Sequence, residues 1–342
     1  MLDKLEEKYK LKDSCDSLRK TRKGFIKKTN IPIPVYDNIK GEFTYFLDLY
    51  DKLFNAREEY ERYLKTSKRG SVGRQELLNT IIEDVKSSEV YNTLNNLDMT
   101  QSKINFINEN KIELRSSLLK TYNHNKRFIS LDIKQADYNT FKSLDKTQLF
   151  KEDTYEEWVS KYVTNSETNI SNLRNVLFGN LNPKRIKKVQ KETMISILEY
   201  LKVNSGLDMG EGFSVILVGS DEVILEFTEE WYSYLSKHLT KIEDSINFPL
   251  KLEVYDLKYL GLEELGYVKE MIQVKEDNKG NLKYTKEELD IEFKGTNKVY
   301  FAQAYKHYFG LEITKEDLVF SFDNRTAQFY QPLEVEDKYN LN

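Results

Sequence analysis

The stretch FSVILVGSDEVILEF, Phe213 to Phe227, sets two apolar runs on either side of a Gly-Ser-Asp turn. Two β-branched runs of strand length joined by a short polar turn predict a β-hairpin, and its tip would carry Asp221 and Glu222. Upstream, RFISLDI (Arg127–Ile133) is a second short apolar run that suits a buried strand and brings Asp132 to its end. Downstream, residues 229–244 read as a helix and PLKLEVYDL, 249–257, as another strand. A β-hairpin-α-β order with strand 127–133 alongside predicts a small antiparallel sheet backed by helices, so the fold class expected is α+β.

Outward from this centre the texture changes. Residues 1 to about 115 read mostly as helix: in DNIKGEFTYFLDLYDKLFNAREEYERYL the apolar positions Phe43, Phe46, Leu47, Tyr50 and Phe54 recur at three- to four-residue spacing. A loop is expected at Gly70 and Gly73, with helix resuming through ELLNTIIEDV and KINFINENKIELRSSLL. Between the two strand regions, helices are expected at 155–163, at 169–178 and at 184–202, interrupted at Gly179 and Pro183. Beyond 260, KGNLKY suits a hairpin turn and VYFAQAYKHYF a helix, more in keeping with core packing than with a base-stacking platform. The expected organisation is a helical region over 1–115 that acts as a thumb or binds a partner or nucleic acid, a central body over 116–260 with a helical insertion at 166–204, and an appended α+β piece over 261–342.

The 342 residues are 32% charged and 13% aromatic, enough to fold around a sizeable core and polar enough to stay in solution. No run approaches the ~18 apolar residues of a membrane span, and the charged start MLDKLEEKYKLKD lacks an apolar secretory core, so a cytoplasmic protein without a membrane partner is expected. Cys15 is the single cysteine, which excludes a disulfide framework and a cysteine zinc cage. His124, His238 and His307 are scattered without ligand spacing and read as structural or surface residues. No dinucleotide or P-loop glycine motif and no serine-hydrolase elbow is present. The net charge of −4 conceals basic runs at Lys20–Lys28 and Lys184–Lys191, each readable as a solvated helix face or as a nucleic-acid channel.

Carboxylates held at strand ends by rigid backbone suit magnesium, which takes one or two carboxylates plus substrate phosphate oxygens. Two such ions ~3.5–4 Å apart stabilise the attacking and leaving oxygens of a phosphoryl displacement. The rest of that chemistry is positioning and charge neutralisation, for which Arg174 and the basic helix after Pro183 are the cationic candidates.

In that light Asp132-Ile-Lys-Gln135-Ala-Asp137 resembles the first polymerase signature of the DNA polymerase I family. Arg174-Asn-Val-Leu-Phe178-Gly179 is similar to the fingers-helix signature, and Ser220-Asp221-Glu222 followed by an apolar strand resembles the third. With FPLKLEV in the place of the closing palm strand, the resemblance covers roughly residues 127–256. It implies a polymerase-type palm in which Asp132 and Asp221 bind two Mg2+ ions, with Mn2+ as a substitute, and Glu222 supports the primer end. It further implies that Arg174 touches the incoming triphosphate, Phe178 stacks near the base, Gln135 faces the minor groove, and Asp137 and Asn182 stand at sugar- and base-pair-sensing positions. Lys184, Arg185, Lys187 and Lys188 would contact nucleic acid, and Arg115 the primer.

The expected activity is therefore a DNA-directed nucleotidyltransferase that uses a DNA template and nucleoside triphosphates, in a phage or mobile-element setting. The departures matter. Arg174 replaces the family's lysine and is a poorer proton donor. Asn182 replaces a tyrosine, Pro183 a glycine and Ser220 a histidine. Only 47 positions separate Arg174 from Asp221, so the fingers are sharply shortened and a second protein subunit or the unusual ends would hold template and primer. The weakened sugar gate keeps an RNA polymerase of the single-subunit phage type open as an alternative, and a non-catalytic palm-derived accessory protein is the third. Nucleic-acid affinity is expected to be weak and to fall steeply with salt.

Overall fold

In the computed structural model, residue 6 and residues 15–36, 41–67, 71–98, 103–109, 118–162, 171–207, 215–277 and 281–339 are described. The helices come first: α1 (Cys15–Thr29), α2 (Glu42–Leu49), α3 (Asp51–Phe54), α4 (Ala56–Ser67), α5 (Ser71–Ser87), α6 (Glu89–Asn96) and α7 (Ile104–Glu109). Strand β1 (Lys126–Ile133) leads into α8 (Ala136–Leu144), α9 (Tyr155–Ser160), α10 (Ser171–Leu181) and α11 (Ile186–Asn204). The hairpin β2 (Val215–Val218) and β3 (Glu222–Glu226), α12 (Glu229–Ile246), and β4 (Leu250–Tyr259), β5 (Tyr267–Glu276) and β6 (Leu282–Lys294) follow. The chain ends with α13 (Phe301–Tyr308) and a second hairpin, β7 (Val319–Phe322) and β8 (Arg325–Gln328).

The fold is α+β. The larger sheet has the strand order β2-β3-β1-β4-β5-β6, and β7-β8 is a separate two-stranded sheet. β1 pairs antiparallel with β3 on one side and β4 on the other. Alternation along β1 gives it two faces. Ile129, Leu131 and Ile133 face an apolar core shared with Val223, Leu225, Leu250 and Val254, and α11 and α12 supply Leu198, Leu201, Leu235 and Ile242 to it. Phe128, Ser130 and Asp132 take the opposite face.

The chain divides into two compact units that differ from the expected boundaries. One comprises residues 72–257 and 271–286; the other comprises 1–71, 258–270 and 287–342. The first 71 residues thus cluster with the C-terminal segments, and α5 and α6 cluster with the central sheet. In the second unit the reason is a shared aromatic core: Phe25, Phe43, Phe46, Tyr50 and Tyr60 pack with Phe301 and Tyr305. Tyr50 meets Phe301 edge-on at 5.4 Å between ring centroids. Helical periodicity identifies each apolar face but not which distant face it meets.

Three local expectations are corrected. The apolar pattern over 43–64 is broken into α2, α3 and α4, with Asn55 left-handed at φ 49° between the last two. Gly73 lies inside α5, not in a loop. Gly179 does not end α10, which runs on to Leu181. The strand β6 was not legible because its exposed, charged sequence LKYTKEELDIEFK shows no buried alternation over most of its length. Among the described residues no helix is long and apolar enough to cross a membrane.

Candidate active site

The acidic tip of the β2-β3 hairpin is a two-residue loop, Ser220-Asp221, closed by the Gly219 amide donating to the Glu222 carbonyl at 2.8 Å. A side chain at Gly219 would bring its Cβ to 3.2 Å from that same carbonyl, so the tightness of the turn suits glycine. The loop is stitched to the end of β1, because the Ile133 amide donates to the Asp221 carbonyl at 2.9 Å. The register then sets Asp132 directly opposite Glu222 on β3 and Lys251 on β4. Asp132, Asp221 and Glu222, 90 positions apart at their extremes, come together at one end of the sheet.

Electrostatics supports their proximity. The carboxyl of Asp132 is pushed up from 3.8 to about 7, first by burial and then by the negative charges of Asp221, Glu222 and Glu253, with Lys251 pulling the other way. The neighbours are themselves oriented. Ser130 Oγ donates to Glu222 Oε1 at 2.7 Å and Ser220 Oγ donates to Asp221 Oδ1 at 2.6 Å. Lys251 pairs with Glu253 at 2.5 Å.

Ser130, Lys251 and Glu253 were not singled out from the sequence, yet the signal existed. In PLKLEVYDL, Leu250, Leu252 and Val254 alternate with Lys251 and Glu253, which places the two charges on the face opposite the apolar core.

The residues expected to contact nucleotide behave differently. Phe178 is only 5% exposed and sits between Phe141 and Tyr155, with ring centroids 5.8 Å away in each case. A ring packed in this way is not offered to a base, which corrects the stacking role expected of it. Gln135 adopts φ 47° just after β1 and is committed at both ends of its amide: its Nε2 donates to Glu156 at 2.7 Å, and its Oε1 accepts from the Tyr155 amide at 2.9 Å. Asp137 accepts from Lys187 Nζ at 3.2 Å and from Gln190 at 3.0 Å, tying α8 to α11. Asn182 is exposed with φ 27°, and its amide closes α10 on the Phe178 carbonyl.

Arg174 is half-buried on α10, and no hydrogen bond or ion pair among the described residues joins it to the three acids. Of the basic run, Lys184 and Arg185 are exposed, Lys188 is half-buried, and the Lys184 amide donates to Asn95. Arg115 lies outside the described residues. His238 and His307 each contact a backbone carbonyl, of Tyr234 and Tyr339.

Among the described residues no set of three or more His, Cys, Asp or Glu side chains forms a ready-made metal cage. Magnesium sites that share their ion with substrate phosphates need fewer protein ligands than that. What fits a cation here is the gathering of Asp132, Asp221 and Glu222 at one end of the sheet; burial first, and then the neighbouring acids, raises the Asp132 carboxyl, and a divalent ion would relieve the second of these. No family model matches the sequence, and no curated protein matches it.

Proposed function

We propose that this protein is a template-directed nucleotidyltransferase that extends a 3′ hydroxyl with nucleoside triphosphates on a DNA template, through a palm-type sheet bearing Asp132, Asp221 and Glu222. The observation that carries this is the convergence of the three acids at one end of adjacent antiparallel strands, Asp221 in the turn and Asp132 opposite Glu222 on the face away from the helices. In the reaction, the 3′ oxygen bonds to the α-phosphorus as the bond to the β-phosphate bridge breaks. Pyrophosphate leaves with that electron pair, and the hydroxyl proton passes to solvent. Divalent ions held by Asp132 and Asp221 would stabilise the charge on the entering and leaving oxygens. Ser220 fixes the Asp221 carboxylate and Ser130 fixes Glu222, so neither has to be ordered when substrate arrives.

The test is incorporation of labelled deoxyribonucleotides and, separately, ribonucleotides on a primed template with Mg2+ or Mn2+. Incorporation by the wild type and its loss in Asp132→Asn and Asp221→Asn are expected. The two nucleotide sets also separate a DNA polymerase from an RNA polymerase of the single-subunit type.

A second reading, a palm-derived accessory protein without catalysis, is favoured by the burial of Phe178 and by the commitment of Gln135 and Asp137 to structural bonds. Absence of incorporation with either ion, even beside a candidate partner subunit, would favour that reading.

A further inference from the structure

The unit that contains the chain's N-terminal segment carries an exposed basic face on α1. α1 buries Leu18, Phe25 and Ile26 and leaves Lys20, Lys23 and Lys27 exposed. Spacings of three and four residues put the three lysines on one side of the helix. None of them makes an ion pair among the described residues. The helix has one acid, Asp16, which pairs with Arg19, and Glu58, Glu59 and Glu61 of α4 are taken by Arg62 and Lys65. Among the described residues this cationic row has no counter-charge, and such a row repels itself and attracts a polyanion.

An aromatic surface adjoins it in the same unit. Lys23 Nζ lies 5.0 Å from the centre of the Tyr36 ring. The Tyr36 amide donates to Ser321 Oγ at 3.2 Å and the Ser321 amide donates to the Pro34 carbonyl at 2.9 Å, so the β7-β8 hairpin runs beside this segment. On the hairpin, Phe320 stacks on Phe329 and Phe329 on Tyr300, each at 4.5 Å. Phe322, on the same face as Phe320, is 69% exposed, and Tyr330, next to Phe329, is 99% exposed. Packing accounts for the stacked three rings and leaves Phe322 and Tyr330 unexplained. Exposed rings on a hairpin that is hydrogen-bonded to the segment next to the lysine row are the elements of a single-strand surface: cations follow the phosphates and rings stack on the bases. A membrane surface fits less well, since the exposed polar residues Asp323, Asn324 and Arg325 interrupt the apolar patch.

We propose that this surface binds single-stranded nucleic acid, with Lys20, Lys23 and Lys27 meeting phosphates and Phe322 and Tyr330 stacking on bases. It rests on the polymerase reading only for the kind of strand bound, and it needs neither metal nor nucleotide.

The test is fluorescence anisotropy of a labelled oligonucleotide of about 20 nucleotides titrated with full-length protein over a salt series, without divalent ions. Replacing the three lysines together (K20Q, K23Q, K27Q) is expected to weaken binding at least about tenfold and to flatten the log-affinity against log-salt slope by about 2, at roughly 0.7 per phosphate contact. The arginine triple replacement should restore both. F322A with Y330A is expected to weaken binding about tenfold with the slope unchanged. All the altered side chains are exposed, and circular dichroism verifies that the variants fold.

An unchanged affinity and slope in the lysine variant would overturn the proposal, as would binding to phosphatidylserine vesicles without binding to the oligonucleotide. If the wild type binds through these residues yet never extends a primer, this inference stands and the polymerase proposal falls. If it extends a primer and the lysine variant binds and extends equally well, the reverse holds.

Discussion

The carboxylate end of the sheet and the helical layer around Phe178 belong to the same unit and are built on opposite electrostatic terms. Asp132 is raised to about 7 first by burial and then by the nearby charges of Asp221, Glu222 and Glu253. Around Phe178, by contrast, the aromatic contacts are filled, and the nearby Gln135 and Asp137 have protein partners. Groups that are satisfied within the fold have little reason to meet a ligand, whereas like charges held together at an expense in stability mark a site where something is to be bound. Of the polymerase-like sequence pattern, the three acids gather at one end of the sheet, while Phe178, Gln135 and Asp137 are engaged within the fold.

The contrast breaks most sharply on the acids. Asp132→Asn and Asp221→Asn should each lower incorporation by roughly 1,000-fold or more, about 4 kcal/mol of barrier, while anisotropy shows oligonucleotide binding retained. Equal incorporation by wild type and variants would remove the site. Phe178→Ala should act the other way. It should lower stability by about 3–4 kcal/mol, as expected for a buried ring, measured by urea denaturation, with the nucleotide KM of the surviving folded fraction unchanged. A raised KM without loss of stability would restore the base-stacking role.

Gln135→Ala removes two hydrogen bonds between the end of β1 and α9 and is expected to cost about 1–2 kcal/mol, again read from urea midpoints. A variant as stable as the wild type, but altered in nucleotide choice, would return Gln135 to the site.

The smallest effect concerns pH. The folded-state pKa of Asp132 lies above its ordinary 3.8, so its contribution to stability is fully present below about pH 4 and is lost as pH rises through about 7. Asp132→Asn should therefore flatten the fall in Tm between pH 5 and pH 8 and raise Tm at pH 8 by about 2–4 °C. Parallel Tm profiles for the two proteins would show that neither burial nor the neighbouring acids raises the Asp132 carboxyl in the folded protein.

Much of this was legible along the chain. RFISLDI, the two arms of FSVILVGSDEVILEF and PLKLEVYDL are found as β1, β2, β3 and β4, within a residue or two at most ends. Their apolar runs and the glycine turn act locally, over the span of one element. Asp132, Asp221 and Glu222 were legible as carboxylates at strand ends for the same reason. Phe178 was misread because a Phe-Gly pair in sequence does not say whether the ring faces solvent or Phe141. Lys251 and Glu253 escaped because their proximity to Asp132 depends on strand pairing.

By itself the sequence determined the elements and which face of each is apolar, because helix and strand periods are properties of neighbouring residues. Only the tertiary structure decided that Asp132 stands opposite Glu222 and beside the turn of Asp221, that residues 1–71 cluster with the C-terminal segments, and that β5 and β6 extend the sheet. Those outcomes rest on contacts between residues tens to hundreds of positions apart, where register and the packing of one apolar face on another, and no local preference, set the result.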